Sequence, residues 1–208
     1  MTTTTASSQS QRQQLRRELR AARRALSDAQ QDMAAADIAS QLLSLPAVAD
    51  ASVVAGYLPN DGEVDLTPLF TRFFSSPDAP AVALPVLHPF TPGHLLFLHY
   101  HPQTPMQTNR FGIAEPVCDV TRVIPPTAID VVLLPLVGFD AHGNRLGMGG
   151  GFYDRTLAHR DRWAKKPVLI GIAHDCQQVP ALPVQSWDVP LDIIVTPEQK
   201  IYSRPPQS

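Results

Sequence analysis

Apolar residues along this chain fall into stripes near the start and into solid runs further on. Leu15, Leu19, Ala22 and Leu26 recur at spacings of 4, 3 and 4, one face of a helix predicted over 9–26. On that same segment Arg12, Arg16, Arg20 and Arg24 form a second stripe at strict four-residue spacing. Ser27 opens the next helix, with Gln30 placed as its capping-box partner. The apolar stripe of this second helix is Ala34, Ile38, Leu42 and Leu45, and Pro46 stands just past its end. Then the period changes. The segments 51–58 (ASVVAGYL), 81–87 (AVALPVL), 129–139 (IDVVLLPLVGF), 167–174 (PVLIGIAH) and 191–196 (LDIIVT) read as buried strands. The segment 94–100 (HLLFLHY) reads as an edge or hairpin strand, and 101–126, rich in proline, as irregular. Helices are predicted over 64–74, with Pro68 in the first turn, and from near Tyr153. Buried strands alternating with helices predict an α/β fold. The expected form is a three-layer sandwich with a mostly parallel central sheet and the N-terminal helices packed on it.

The length of 208 residues suits one domain, read here as 9–200, with tails at 1–8 and 201–208. A net charge of −2 gives no global case for a nucleic-acid or membrane partner. Locally the balance differs: residues 1–26 hold six Arg against one Glu. Across the chain Arg outnumbers Lys 14 to 3, and the Arg fork is the better match to phosphate or carboxylate. Cys118 and Cys176 are isolated and form no disulfide or metal spacing. The start lacks the apolar core of a secretory signal, and no apolar run approaches a membrane span. A reducing, cytoplasmic setting is expected.

Candidate chemistry concentrates in "RLGMGGGFYDR", 145–155, just after the most apolar predicted strand. Ligands of open α/β sheets sit at the carboxyl ends of strands. Glycines at 147, 149, 150 and 151 let backbone N–H groups approach an anion without a Cβ in the way. Neither familiar phosphate loop fits: a Walker loop needs Lys where Phe152 stands, and a dinucleotide fingerprint needs Gly there. A mobile connection is the plainer alternative, but it does not call for four glycines beside Arg145 or for Phe152, Tyr153 and Asp154 together at a helix start. Asp154 has two readings, a Mg²⁺ carboxylate or a helix-end carboxylate favoured by the dipole.

Elsewhere the signals are weaker. Like charges at i,i+4 each cost about a few tenths of a kcal/mol, so the Arg stripe hints at an anionic partner. Arg17, Arg20 and Arg23 are read as a solvated face. In "GYLPNDGEVD" (56–65), Asn60–Gly62 form a turn, and Glu63 either starts a helix or faces a ligand. His99 and His101 share a strand face but lack a third metal ligand, so they count as ordinary polar positions. Asp188 and Asp192 flank "VPL", and either offers a second carboxylate to a cation at Asp154.

The run "LPLVGFDAHGNRLGMGGGFYDR" (134–155) resembles the signature of the 5-formyltetrahydrofolate cyclo-ligase family, also called methenyltetrahydrofolate synthetases, in its bacterial branch. The likeness extends over roughly 11–197, through "RQQLR" (12–16), "GYLPNDGEVD", "LPVLHPF" (84–90), "GIAHDCQ" (171–177) and "WDVPLDIIVT" (187–196). It implies an enzyme that turns ATP and 5-formyltetrahydrofolate, in free or polyglutamylated form, into 5,10-methenyltetrahydrofolate, ADP and phosphate with Mg²⁺. It implies ATP contacts from Arg12, Arg16, Arg145 and the loop Gly147, Met148, Gly149, Gly150, Gly151, Phe152 and Tyr153. Folate contacts are implied for Leu58, Glu63 and Met148–Phe152, Mg²⁺ ligation for Asp154 and Asp192, and catalytic roles for Arg145 and Asp154. Many relatives carry Lys at the position of Arg12, and some at that of Gly150, so Arg145 or Mg²⁺ must cover more phosphate charge here. A monomer is expected, with no nucleic-acid or membrane partner. The rival expectations are another nucleotide-dependent phosphotransferase and an RNA- or ribosome-associated protein using the Arg stripe.

Overall fold

A computed structural model describes residues 3–203. Helix α1 spans Thr3–Arg24. It therefore begins inside the stretch expected to be a tail, of which residues 1 and 2 lie outside the described residues. Ser27 caps α2 (Asp28–Leu43) in the expected box: its hydroxyl accepts from the Gln30 N–H, and Gln30 returns the bond to the Ser27 N–H at 2.9 Å. Ala34, Ile38, Leu42 and Leu45 are all buried, as their spacing predicts. A single turn, α3 (Pro46–Ala49), leads into β1 (Val53–Ala55), and α4 (Thr67–Phe74) carries Pro68 in its first turn.

Next come β2 (Ala81–Leu87) and β3 (Leu95–Tyr100), an antiparallel pair in which Val82 faces Tyr100 and Leu87 faces Leu95. The proline-rich stretch is more ordered than its composition implied. It holds a small hairpin, β4 (Met106–Thr108) with β5 (Ala114–Pro116), and a short strand β6 (Val123–Ile124) that pairs with β3. Thus β3 is a hairpin strand but not an edge. The apolar run 129–139 breaks in two: β7 (Val131–Pro135), then β8 (Gly138–Phe139), which turns back to pair with β9 (Arg145–Leu146). After the glycine loop come α5 (Phe152–Leu157), β10 (Val168–Ile172), β11 (Ile193–Val195) and β12 (Lys200–Tyr202). The last strand runs into the stretch expected as a C-terminal tail; residues 204–208 lie outside the described residues.

The main sheet has the order β12-β11-β10-β7-β1-β2-β3-β6. β11, β10, β7, β1 and β2 are mutually parallel, and antiparallel strands flank them. Alternation along each strand feeds two cores. Val54, Leu133 and Ile170 face α2 and α4 on one side, while Ala55, Leu134 and Leu169 meet Leu157 of α5 on the other. The three-layer expectation holds. Helix α1 lies elsewhere, with Leu19 packed on Val137 and Leu146 at the carboxyl end of the sheet. Among the described residues no helix is long and apolar enough to cross a membrane.

The exposed cap of α2 gives a clean test of local stability. Ser27→Ala should lower the unfolding free energy by about 1 kcal/mol, and Ser27→Gly by only about a few tenths. Urea denaturation reads both, and equal midpoints for wild type and Ser27→Ala would show that the cap contributes nothing.

Candidate functional site

A cleft of about 970 Å³ opens where the parallel strands end. Its walls are α1, the 57–63 turn, the β4–β5 hairpin, the glycine loop and the 185–188 turn. The loop also forms one wall of a second cavity of about 640 Å³. Gly149, Gly151, Asp154, Trp187 and Asp188 border both spaces.

Arg12, Arg16 and Arg20 of α1 build one wall, and these three, with Arg23 and Arg24 behind them, each meet a partner. Arg12 forks onto Asp188 at 2.6 and 3.1 Å and donates to the Pro183 carbonyl. Arg16 Nε donates to the Gly147 carbonyl at 2.8 Å, tying α1 to the glycine loop. Arg20 and Arg23 both reach Asp61, at 2.7 and 2.8 Å, and Arg24 stands 3.5 Å from it. Arg23 is fully buried and also donates to the Asp61 and Leu136 carbonyls. The solvated-face reading therefore fails for Arg20 and Arg23, because Asp61 draws their guanidiniums inward; Arg17 alone of the three is exposed. Hydrogen bonds from Arg20, then from Arg23, outweigh partial burial and hold the Asp61 carboxyl below its usual range.

Asp61 itself adopts a left-handed φ of 53°, followed by Gly62 at 79°. That turn faces Glu63 into the cleft. Glu63 does not start α4, because Asp65 takes the Thr67 N–H there. Burial pushes the Glu63 carboxyl up to about 7, against the pull of Arg23 and of the Asn60 N–H it accepts. Beside it Tyr57 donates to the Val64 carbonyl at 2.9 Å. Burial, with Glu63 adding to it, keeps both Tyr57 and Tyr153 neutral far above neutral pH. Leu58 completes this end.

The other end is charged. Arg145 is buried, and its Nη2 meets Asp154 Oδ1 at 2.5 Å. Its Nη1 is buried with no hydrogen-bond partner. Burial lowers the Arg145 pKa and Asp154 pulls it back up, so the cation persists but lacks one acceptor. Asp154 Oδ1 also accepts the Val189 N–H at 3.1 Å, while no hydrogen bond from the described residues reaches its Oδ2. In the loop between these ends, two glycines hold backbone angles that disfavour a side chain, while Gly147 has open space where a Cβ would stand. Gly149 has φ 100°, and Gly151 caps α5 with φ 64°. Arg155 fastens the loop from outside, donating to the Gly150 carbonyl and to the Gly93 carbonyl.

Most sequence-predicted site residues thus converge: Arg12, Arg16, Leu58, Glu63, Arg145 and the run 147–154 all line the cleft. Asp192 does not. Its two oxygens are forked by Arg160 at 2.7 Å each and one accepts the Leu169 N–H, outside both cavities. The second carboxylate bordering the cleft near Asp154 is Asp188, which Arg12 already holds. Sequence reasoning missed Asp61, whose partners lie across the fold, and the β4–β5 hairpin. There Glu115 is buried and accepts from Leu87 N–H and Asn109 Nδ2, both at 3.1 Å, while Phe111 meets Phe152 edge-on at 5.7 Å. It also missed Trp187. His99 is exposed and His101 packs against Phe74 at 5.3 Å; no metal-ligand cluster of three acids, histidines or cysteines occurs among the described residues.

Comparison with known proteins meets this geometry. The model of the 5-formyltetrahydrofolate cyclo-ligase family matches residues 8–197. The 5-formyltetrahydrofolate cyclo-ligase of Escherichia coli (strain K12) is 48% identical over 181 residues, covering 87% of this chain and 97% of that protein. The protein of the same name from Haemophilus influenzae is 46% identical over 186 residues, covering 88% and 97%. Among solved structures, the NMR structure of Aquifex aeolicus 5,10-methenyltetrahydrofolate synthetase superposes with a TM-score of 0.79 at 31% identity, covering 95% of each chain. A 5,10-methenyltetrahydrofolate synthetase from Mycoplasma pneumoniae gives 0.70 at 27% identity, covering 89% of this chain and 98% of that one. Matched along nearly its whole domain in sequence and in fold, the chain belongs to the 5-formyltetrahydrofolate cyclo-ligase family.

Proposed function

We propose that the chain is an ATP-dependent 5-formyltetrahydrofolate cyclo-ligase, converting 5-formyltetrahydrofolate to 5,10-methenyltetrahydrofolate with release of ADP and phosphate. The observation that carries this reading is the unpartnered, buried Nη1 of Arg145 beside the glycine loop, in one cleft with the carboxyl of Glu63. The first calls for an anion. The second suits the donor edge of an aminopyrimidine, to which a carboxylate offers two acceptors.

The chemistry needs both ends. The N5-formyl group is amide-like, and its oxygen is a poor leaving group. Transfer of the γ-phosphoryl to that oxygen breaks the bond to the β–γ bridging oxygen and releases ADP. N10 then adds to the formyl carbon, loses its proton, and phosphate departs with the C–O bond. Such transfer asks the protein mainly for positioning and charge stabilisation. Arg145 supplies charge where it develops. Arg12 and Arg16 extend that charge along α1, and Met148–Tyr153 border both substrates. Leu58 and Glu63 hold the pterin end, and Phe152 covers a ring.

A divalent cation fits at Asp154. Asp154 borders the cleft and its Oδ2 takes no hydrogen bond from the described residues, which suits an ion that completes its shell with water and phosphate oxygens. Mg²⁺ bound there would neutralise charge on the phosphoryl group in transfer. Asp192, the second carboxylate the family resemblance implies for the ion, is forked by Arg160, which borders the second cavity.

Incubation with ATP, Mg²⁺ and 5-formyltetrahydrofolate should produce the absorbance of the methenyl product, and chelation of Mg²⁺ should abolish it. A folded protein that forms no product sinks the reading. Arg145→Gln should reduce kcat by about 10²-fold or more while the fold is kept. The raised pKa of Glu63 sets a pH signature: above about 7 the free protein holds the carboxylate that binds folate, and below it the neutral acid. Folate affinity should therefore fall as pH drops from 8 to 6, and binding should release protons. Glu63→Gln should bind weakly with no such slope. For stability the sign is opposite, since raising the pH charges a buried acid. Wild type should lose stability between about pH 4.5 and 7 relative to Glu63→Gln.

A further inference from the structure

The indole of Trp187 has no assigned role, yet it stands where the two cavities meet. It is 62% exposed, and Met148 of the glycine loop is 49% exposed. Among the described residues no aromatic ring or guanidinium stacks on the indole. Its backbone, in contrast, is pinned. The Asp188 N–H donates to the Gln185 carbonyl at 3.1 Å, and the Gln185 N–H donates to Asp188 Oδ2 at 2.9 Å, closing the turn. Arg12 holds Asp188 from α1, and the next N–H, that of Val189, is bonded to Asp154. The turn is thus fixed on both sides of an apolar ring that water still reaches. Leaving that surface wet costs free energy that a flat ligand recovers by covering it.

We infer that Trp187 is the platform on which the purine ring of the nucleotide stacks, with Met148 bordering the same space. This rests on the ATP-dependent reading above and gives the nucleotide's base a place. The geometry assigns the platform to the purine and not to the pterin. Tyr57, Leu58 and Glu63, which frame the folate end, line only the large cleft, whereas Trp187 borders both spaces together with Asp154 and Asp188 at the phosphate end. Behind the loop, Leu157 and Pro190 give the second cavity apolar walls beside the indole, so a base stacked on Trp187 has room on that side. Every purine presents a π-face, so stacking of this kind is tolerant of the base's edge.

The chain has two tryptophans, and they are separable. Trp163 packs against one of the core clusters and lines neither cavity. Titration of the full chain with ADP, without folate, should quench the fluorescence of wild type and of Trp163→Phe and leave that of Trp187→Phe unchanged. Trp187→Ala should weaken ADP binding about tenfold by calorimetry, with Trp187→Phe in between. Inorganic tripolyphosphate, which has no base, should bind wild type and Trp187→Ala alike. The KM for 5-formyltetrahydrofolate should stay within about twofold. Unquenched Trp163→Phe, or a Trp187→Ala that weakens tripolyphosphate as much as ADP, would overturn the assignment. The two proposals separate in the same experiment. Quenching at Trp187 without methenyl product leaves the platform and removes the cyclo-ligase reading, and product formation with an indifferent Trp187 does the reverse.

Discussion

A buried guanidinium organises this molecule. Arg23 is fully buried, and it survives there because every direction it points meets oxygen: the Asp61 carbonyl, the Asp61 carboxylate and the Leu136 carbonyl. Removing one partner of a buried ion pair is costly, since the other is left charged and dry. The pair therefore fixes α1 across the carboxyl end of the sheet, with Leu136 just beyond β7 on one side and the turn after β1 on the other. The left-handed φ of Asp61 belongs to the same device. It bends the turn so that the carboxylate faces three arginines of α1 while Glu63 faces the cleft.

That division of labour explains why two acids two residues apart behave oppositely. Asp61 takes direct hydrogen bonds from Arg20 and Arg23 and titrates low. Glu63 lies 3.8 Å from the same Arg23, too far for a hydrogen bond, so desolvation dominates and its pKa rises. Asp61 thus absorbs the charge that would otherwise pin Glu63, which accepts the Asn60 N–H on Oε2 and keeps Oε1 facing the cleft without a hydrogen bond among the described residues. Along the same helix Asp188 plays the part of Asp61 for Arg12. A stripe of like charges that is unfavourable in an isolated helix becomes a row of anchors once acids from two distant loops answer it.

Elements with a strong period were legible from sequence. The stripe from Ala34 to Leu45, the Ser27 cap and the run from Ala81 to Leu87 all reappear where the pattern places them, because burial on one face and local capping are encoded within a few residues. The boundary at 135–138 was not, since the chain leaves the main sheet after Pro135 to form the β8–β9 corner under Leu19, a tertiary demand. The hairpin at 106–116 was hidden by prolines, although Pro116 closes a strand and Asn109 shapes the tip by accepting the Phe111 and Ile113 N–H groups. The site was legible where glycine spacing carried it. Asp61, Glu115 and Trp187 were not, because each gains its meaning from residues far off in the chain. The contacts of Asp192 were equally hidden: Arg160 and the Leu169 N–H, both remote in sequence, hold its carboxylate.

The two arginine contacts to the glycine loop give it a polarity. Arg16 caps the Gly147 carbonyl and Arg155 the Gly150 carbonyl. Among the described residues, no acceptor engages the N–H groups of residues 147–151. A peptide chain carries as many acceptors as donors, and a bare loop is neutral in that sense. Here two of the acceptors are bound to cations while the donors stay open, so the backbone itself acts as an electropositive edge. The loop needs no lysine of its own to be attractive to an anion, because arginines from two sides already answer two of the carbonyls that would repel one.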